Sequence, residues 1–340
     1  MSGGPALGKK VLVSGATGAM GQYLVPRLAA LGYEITGLTI DDTVSTLPNV
    51  RYLKKDAYDA DGMQAFLQQE KFDGIVDFMI YNTAQNPRFL PMMLDHTDHY
   101  IYLSSYRVYS SNELPIRETS PQWLDCAEDL PFRHSDDYSV YKARGEHFVR
   151  ASARKNWSII RPAITYSRMR YQLVTLEMIN TVARAKAGKK VVLPEQAKEV
   201  PATMTWAGDV AQMIATILFN GKALCEDYSV CTAEHRTWGE IADYYKDICG
   251  LDAVWVDKED YLAIVAPDPY QRFHARWQLE YDRLQPRIMD NRKVLDLCNL
   301  QQKDLMPLYD GLKYEIGRCP ADLNLPSHER MDEYLKQHNL

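Results

Sequence analysis

The residues with the clearest capacity for chemistry lie in Asp136-Asp137-Tyr138-Ser139-Val140-Tyr141-Lys142. On a helix, a tyrosine four residues before a lysine shares its face, one turn away. That spacing sets a phenol beside an ammonium. Free tyrosine titrates near ~10, too high for a base at neutral pH, and a neighbouring cation is one of the few things that lowers it. The chemistry on offer is proton transfer to or from a hydroxyl or carbonyl oxygen. The same spacing also arises on ordinary exposed helices, so its meaning depends on the elements around it.

Those elements begin with Lys9-Lys10-Val11-Leu12-Val13-Ser14, a short strand, followed by Gly15-Ala16-Thr17-Gly18-Ala19-Met20-Gly21 and a helical pattern from Gln22 to Leu31. Strand, glycine-rich turn and helix make the first unit of a dinucleotide-binding fold. Gly15 allows the tight turn and Gly18 the approach of a pyrophosphate. Gly21 lets helix pack on strand, and the helix N-terminus offers free N–H groups to the phosphates. Glu34 to Ile40 reads as the second strand. An acidic residue often ends it to hold ribose hydroxyls; here Thr39 stands in that place, with Asp41 and Asp42 next. No arginine follows directly to receive a 2′-phosphate, which favours NAD, while Arg51 and Lys54 keep NADP in view.

Further strands are expected at Val50–Leu53, Phe72–Ile80, Tyr100–Leu103 and Trp157–Pro162, with helices at 61–69 and 87–95 and one from Tyr138 to Ala153. This alternation predicts an α/β fold, a Rossmann-type doubly wound parallel sheet. After Tyr166 the pattern changes. A helix-like run from Tyr171 to Ala187, a strand at Val191–Pro194, a helix at Asp209–Phe219 and a returning strand at Tyr228–Thr232 lead into a helix-dominated end. The expected organisation is a cofactor domain over 1–165, to which 203–235 returns, and a smaller mixed substrate lobe over 166–202 and 236–340.

The chain has 340 residues, a formal net charge of −6 and six scattered cysteines without a Cys-x-x-Cys pair. No basic run suits nucleic acid, and the cysteines read as reduced thiols rather than a disulfide or zinc framework. No signal peptide or membrane span is apparent, so the expected setting is cytoplasmic, with no membrane or nucleic-acid partner. Asp95-His96-Thr97-Asp98-His99 has a metal-like composition but reads as a solvated polar loop. The aromatic stretch from Trp255 to Trp277 fits a pocket wall or lobe packing, Glu280 to Arg287 reads as a charged surface segment, and Cys126 as an inert thiol.

Taken in order, the motifs resemble the extended short-chain dehydrogenase/reductase superfamily, in its NAD-dependent epimerase/dehydratase family. They are Gly15-x-x-Gly18-x-x-Gly21, Asp56-Ala57, Phe78-Met79-Ile80, Ser104-Ser105-x-x-Val108-Tyr109, Tyr138-x-x-x-Lys142, Arg161-Pro162 before Tyr166, Trp206-Ala207-Gly208-Asp209 and Asn291-Arg292-Lys293. The resemblance implies Tyr138 as catalytic acid/base, Lys142 on the nicotinamide ribose while lowering the tyrosine pKa, and Ser105 on the reacting oxygen. It also implies NAD contacts at Gly15, Thr17, Gly18, Ala19, Met20, Gly21, Thr39, Asp41, Asp56, Ala57, Phe78, Met79, Ile80, Ser104, Tyr138, Lys142 and Pro162. Substrate contacts would come from Asn82, Tyr106, Arg107, Tyr166 and Trp206, with no metal. A homodimer packed through helices near 88–95 and 138–153 is likewise implied.

Two departures bear on the substrate. Tyr106-Arg107 stands where the 4,6-dehydratase branch has Asp-Glu, which argues against elimination of water. Ile164, and Ala202 or Thr203, stand where sugar-nucleotide epimerases have an asparagine and an arginine, so Arg168, Arg170, Arg272 or Arg276 would have to supply the clamp. The expected activity is epimerisation or oxidoreduction of a sugar or nucleotide-sugar hydroxyl. The alternatives are reduction of a small carbonyl substrate and a non-catalytic NAD(P)-binding regulatory or scaffold role.

Overall fold

Strand β1 (Lys10–Ser14) lies inside a parallel sheet and pairs with β2 (Glu34–Thr39) on one side and β4 (Phe72–Asp77) on the other. The computed structural model describes residues 8–320 and 328–340. With β3 (Val50–Lys54), β5 (Thr97–Leu103), β6 (Trp157–Ile160) and β11 (Glu226–Tyr228), the sheet has seven strands in the order β11-β6-β5-β4-β1-β2-β3. Between them run α1 (Gly21–Ala30), α2 (Ala60–Gln69), α3 (Asn86–Asp95), two short helices α4 (Trp123–Cys126) and α5 (Leu130–His134), and α6 (Tyr138–Ala151). Helix α8 (Ala207–Ile217) follows later, after α7 (Val182–Lys186).

The strands alternate their side chains between two cores, as a pleated strand must. Val11, Val13, Val76, Ile101 and Ile160 point into the layer with α1 and α8, whereas Leu12, Ile75, Tyr100, Tyr102 and Ile159 enter the layer with α2, α3 and α6. Both faces of the central strands are covered, so Val11–Val13, Ile75–Val76 and Tyr100–Leu103 are apolar runs, whereas the edge strands β3 and β11 carry charged residues. Strand order reverses at β1, and the crevice beyond the carboxyl ends of β1 and β4 is the place where such sheets accept ligands.

A third core gathers Tyr106, Tyr109, Tyr166, Tyr171, Trp238, Tyr245 and Tyr261. Around it lie β7 (Ile164–Tyr166), β8 (Val191–Pro194), β9 (Pro201–Ala202), β10 (Met204–Trp206), α9 (Trp238–Cys249), α10 (Lys258–Val265) and α11 (Pro269–Gln278). No helix among the described residues is long and apolar enough to cross a membrane.

Four local expectations are corrected. The helix-like run from Tyr171 to Ala187 is mostly turns, with a 3-10 turn at Met178–Asn180 and α-helix only over Val182–Lys186. Tyr171, Leu173, Val174 and Leu176 all enter the third core, and Val174 takes a positive φ of 53° to do so; packing outweighs local helical preference. The strand expected over Phe72–Ile80 stops at Asp77, leaving Phe78, Met79 and Ile80 beyond the sheet. Thr97-Asp98-His99 is the start of β5 rather than a solvated loop. His99 is buried there, shares a 2.9 Å hydrogen bond between its Nε2 and the Ser158 hydroxyl, and accepts from the Phe219 N–H at 2.8 Å, while burial drives its pKa down to about 4. Glu280 to Arg287 is not a surface segment, because Asp282, Arg283 and Arg287 are buried.

Candidate active site

A cavity of about 390 Å³ lies in that crevice, lined at one end by Gly15, Gly18, Ala19, Met20 and Gly21 and at the other by Arg170, Gln172, Glu177, Gln278 and Arg283. Between them stand Phe78, Ile80, Ser104, Ser105, Tyr106, Arg107, Tyr138 and Pro162. Residues spread from 15 to 162 thus meet on one wall because they end or follow β1, β4, β5 and β6.

The glycine turn has the shape a dinucleotide needs. Gly15 holds φ at +72°, a left-handed conformation that costs other residues. A Cβ on Gly21 would fall 2.4 Å from the Ala16 carbonyl oxygen and 2.5 Å from that of Gly15. Met20, at the N-cap of α1, makes no side-chain cap, and the first turn carries no acidic residue. The Gln22 and Tyr23 N–H groups donate to the Gly18 and Met20 carbonyls, but those of Ala19, Met20 and Gly21 have no backbone acceptor among the described residues; these are the donors an anion would meet, and the residues fit a pyrophosphate. At the end of β2, the Thr17 and Thr39 hydroxyls share a 2.8 Å hydrogen bond, and Thr17 also donates to Asp41 at 3.2 Å. The two cations left open for a 2′-phosphate are engaged elsewhere. Lys54 pairs with Asp42 at 2.6 Å, and Arg51 donates to Thr36 and Glu70. Asp56 accepts from the Tyr58 N–H at 2.8 Å beside buried Ala57.

Helix α6 places the proton-transfer group. Asp137 caps it, accepting from the Ser139 N–H at 2.9 Å and the Ser139 hydroxyl at 2.7 Å, so Tyr138 is its first residue. Lys142 lies one turn on, fully buried, and its ammonium donates to the Leu103 carbonyl at 2.6 Å and more weakly to that of Met79 at 3.4 Å. One further turn on, buried Glu146 accepts from Ser104 at 2.5 Å, from Gln122 at 2.9 Å and from Arg161 at 2.6 and 2.7 Å. Lys142 and Glu146 thereby fasten α6 to the ends of β5 and β6, which carry the serines and Pro162. No motif in the sequence singles out Glu146, yet its spacing is visible there, since Tyr138, Lys142 and Glu146 form one stripe at intervals of four.

The electrostatics differ from the expectation that Lys142 lowers the tyrosine pKa. Burial raises the Tyr138 phenol above its ordinary value, opposed by the charge of Arg107, the nearby Ser105 hydroxyl and the charge of Arg170. The Arg107 guanidinium lies 4.9 Å from the centre of the Tyr138 ring and the Lys142 ammonium 5.9 Å. Arginine, not lysine, is the nearer cation. Lys142 itself is drawn down to about 8 by burial, with Asp77 and Glu146 opposing.

A π-helical turn over Leu279–Arg283 continues α11 and turns consecutive residues Asp282 and Arg283 inward; such turns recur at functional sites. Asp282 faces three guanidiniums, those of Arg283, Arg287 at 3.1 Å and Arg107 at 3.4 Å. Burial raises its pKa, but these cations outweigh that and hold its carboxyl below the usual range. Arg283 also donates to the Tyr106 hydroxyl and the Val174 carbonyl, both at 2.7 Å. In sequence this stretch resembles any charged helix end. Only the π turn, invisible to a 3.6-residue period, buries it.

Three expected substrate residues lie off the cavity. The Tyr166 hydroxyl is buried beneath Gly311, with no hydrogen-bond partner among the described residues. Trp206 donates its indole N–H to Glu315 at 2.6 Å and packs on Tyr23. Asn82 exchanges hydrogen bonds with Gln85 at the start of α3. Of the four candidate clamp arginines, Arg276 pairs with Glu259 and Glu280, and Arg272 donates to the Ala266 and Pro267 carbonyls. Arg170 lines the cavity, while Arg168 lines a neighbouring one with Thr17, Ala19 and Gln22. In the aromatic stretch, Tyr270 is 74% exposed and Tyr261 fully buried, and neither borders the cavity.

A sequence model described as the NAD dependent epimerase/dehydratase family matches residues 11–231. Comparison with curated proteins finds no match. Among solved structures, a putative epimerase from Burkholderia cenocepacia superposes with a TM-score of 0.68 at 18% identity, covering 93% of this chain and 99% of the other. The UDP-glucose 4-epimerase of Thermus thermophilus, in complex with NAD, gives 0.66 at 17% identity, covering 91% and 98%. The dTDP-glucose 4,6-dehydratase of Bacillus anthracis, also with NAD, gives 0.67 at 16%, covering 91% and 96%. At these identities the likeness is one of fold.

Proposed function

Because the chain belongs to the NAD-dependent epimerase/dehydratase family, we propose that it epimerises or oxidises a hydroxyl of a sugar or nucleotide-sugar, with Tyr138 as acid/base. The observation that carries this reading is the single cavity joining the glycine turn to Ser105 and Tyr138. When bound, NAD supplies the hydride acceptor and donor; Gly15, Gly18, Ala19, Met20 and Gly21 would hold its pyrophosphate, and Thr17, Thr39 and Asp41 its adenosine end.

Within that frame, Tyr138 takes the hydroxyl proton as a carbinol is oxidised and returns it on reduction. Its phenol is held up by burial, so the cations beside it, Arg107 and Arg170, matter to its use as a base near neutral pH. Ser105 lowers the phenol pKa against its burial and stands on the cavity wall where the reacting oxygen would be received. Lys142, tied to the Leu103 carbonyl, fixes the distance between α6 and the end of β5 and would meet the nicotinamide ribose. The cavity draws its walls from 1–165 and from 166–202 and 236–340 alike, which supports their division into a cofactor domain and a substrate lobe.

The test is turnover by Tyr138→Phe, measured as sugar isomerisation by NMR and as nicotinamide absorbance over a panel of sugars and nucleotide-sugars. Loss of about 10²–10⁴-fold is expected for removal of a general base; full retained turnover would end the reading. NAD that stays bound through purification supports an epimerase cycle, and freely exchanging NAD supports net redox. One observation favours the smaller-substrate alternative. Arg272 and Arg276, two of the four candidate nucleotide clamps, are occupied by carbonyls or carboxylates.

A further inference from the structure

The cavity wall beside Tyr138 holds a guanidinium whose donors are unfilled. Arg107 is only 11% exposed in its side chain, yet that side chain makes no hydrogen bond among the described residues, and its buried Nε has no partner. Its two carboxylate neighbours stand at 3.4 Å (Asp282) and 3.7 Å (Asp137), beyond the usual N–H···O length. Both carboxylates are better served elsewhere, Asp282 by Arg283 and Arg287 and Asp137 by Ser139. Arg170 enters the same cavity from the turn after β7. Its side chain makes neither hydrogen bond nor ion pair among the described residues, and its charge also acts on Tyr138. Glu177, already hydrogen-bonded by Gln172, is the one acidic residue on the described cavity wall.

We propose that Arg107 and Arg170 form the site for an oxyanion group, carboxylate or phosphate, that the substrate carries beside its reacting carbon. The inference rests on the functional reading above, because it places the anion relative to Tyr138. A guanidinium taken out of water with open donors is costly, and an oxyanion that presents two oxygens to its fork fills them with short charge-assisted bonds. A neutral hydroxyl would fill fewer donors and bring no negative charge. The guanidinium carbon sits 4.9 Å from the Tyr138 ring, so the anion it holds is near the reacting centre rather than at a remote tail.

The test titrates NAD-loaded protein calorimetrically with D-glucose, D-glucuronate and D-glucose 6-phosphate at matched ionic strength. At least one acidic sugar is expected to bind ten-fold or more tightly than glucose. Preference for glucuronate assigns a carboxylate, and preference for the 6-phosphate a phosphate. In Arg107→Met the preference should vanish while NAD affinity and melting temperature persist. Arg107→Lys, which keeps the charge and loses the fork, should retain part of it. Equal binding of all three sugars, or a preference that survives Arg107→Met, overturns the proposal. So does an Arg170→Met protein that keeps the full preference. Failure of NAD itself to bind, read in the loading step, counts against the functional reading instead.

Discussion

Replacing Lys142 by methionine keeps the length of the side chain and removes its charge. The ammonium is fully buried, and burial draws its pKa from 10.5 to about 8 against the pull of Asp77 and Glu146. A fall of that size means the fold disfavours the charged form by about 3 kcal/mol. Methionine escapes this cost but no longer donates to the Leu103 carbonyl, a loss of about 1–2 kcal/mol. The net expectation at pH 7 is a variant about 1–2 kcal/mol more stable than the parent, although a residue of the proposed site has been removed. The sign with pH follows from the folded pKa lying below the unfolded one. Below about 8 both states hold the proton and the penalty is complete. Between there and 10.5 the folded protein has released a proton that the unfolded chain keeps, so wild-type stability rises with pH and the gap to Lys142→Met shrinks. Urea midpoints of both proteins, freed of nucleotide, at several pH values from about 7 to 10 measure the gap. Comparing the two proteins cancels the tyrosines and cysteines that titrate in the same range. A gap that does not change with pH would refute the account of Lys142 as a buried, desolvated cation.

The neighbouring pair behaves oppositely. Glu146→Ala leaves Arg161 buried with Asp227, at 2.7 Å, as its one remaining counter-ion among the described residues, and is expected to lose about 3–5 kcal/mol by urea unfolding; Glu146→Gln should lose less, and a loss below about 1 kcal/mol for the alanine variant would contradict the pairing. Burial pushes the Glu146 carboxyl up, but Arg161, Ser104 and Gln122 outweigh it and hold the group below its ordinary value. Its stabilisation is therefore present above the unfolded carboxylate pKa and is lost as pH falls through the folded one, so Glu146→Gln should flatten the acid limb of stability. Gly21→Ala sets a Cβ 2.4 Å from a backbone oxygen, where no side chain can yield. A cost of about 1–3 kcal/mol and weaker NAD binding by calorimetry are expected, and an unchanged affinity would mean the turn is not the pyrophosphate cradle.

Much of this molecule is local and therefore legible in its residues. The strand–glycine–helix unit over Lys10–Ala30 and the apolar strands are carried by short-range rules: conformational freedom at Gly15, two-sided burial, and one-turn spacing from Tyr138 to Lys142. That spacing extends to Glu146, which the same rule would have found. The order of the motifs was enough to assign the family, because the order of chain crossovers dictates which strand ends share a crevice.

What tertiary structure alone decided is who stands next to whom across that crevice, and with what charge. Lys142 bonds a carbonyl and is not the cation nearest Tyr138; Arg107 is, because a turn after β5 folds it over the ring. Glu280 to Arg287 looks like a solvated charge run until one π turn rotates Asp282 and Arg283 inward beneath that arginine. Tyr166 and Trp206 carry the right names in the right order, yet residues from the far end of the chain, Gly311 and Glu315, cover them. Sequence patterns encode periodicity and turn chemistry, which act over a few residues. Desolvation and pairing of charge depend on distances between residues far apart in the chain, such as Arg107 and Asp282, and only the folded packing sets those.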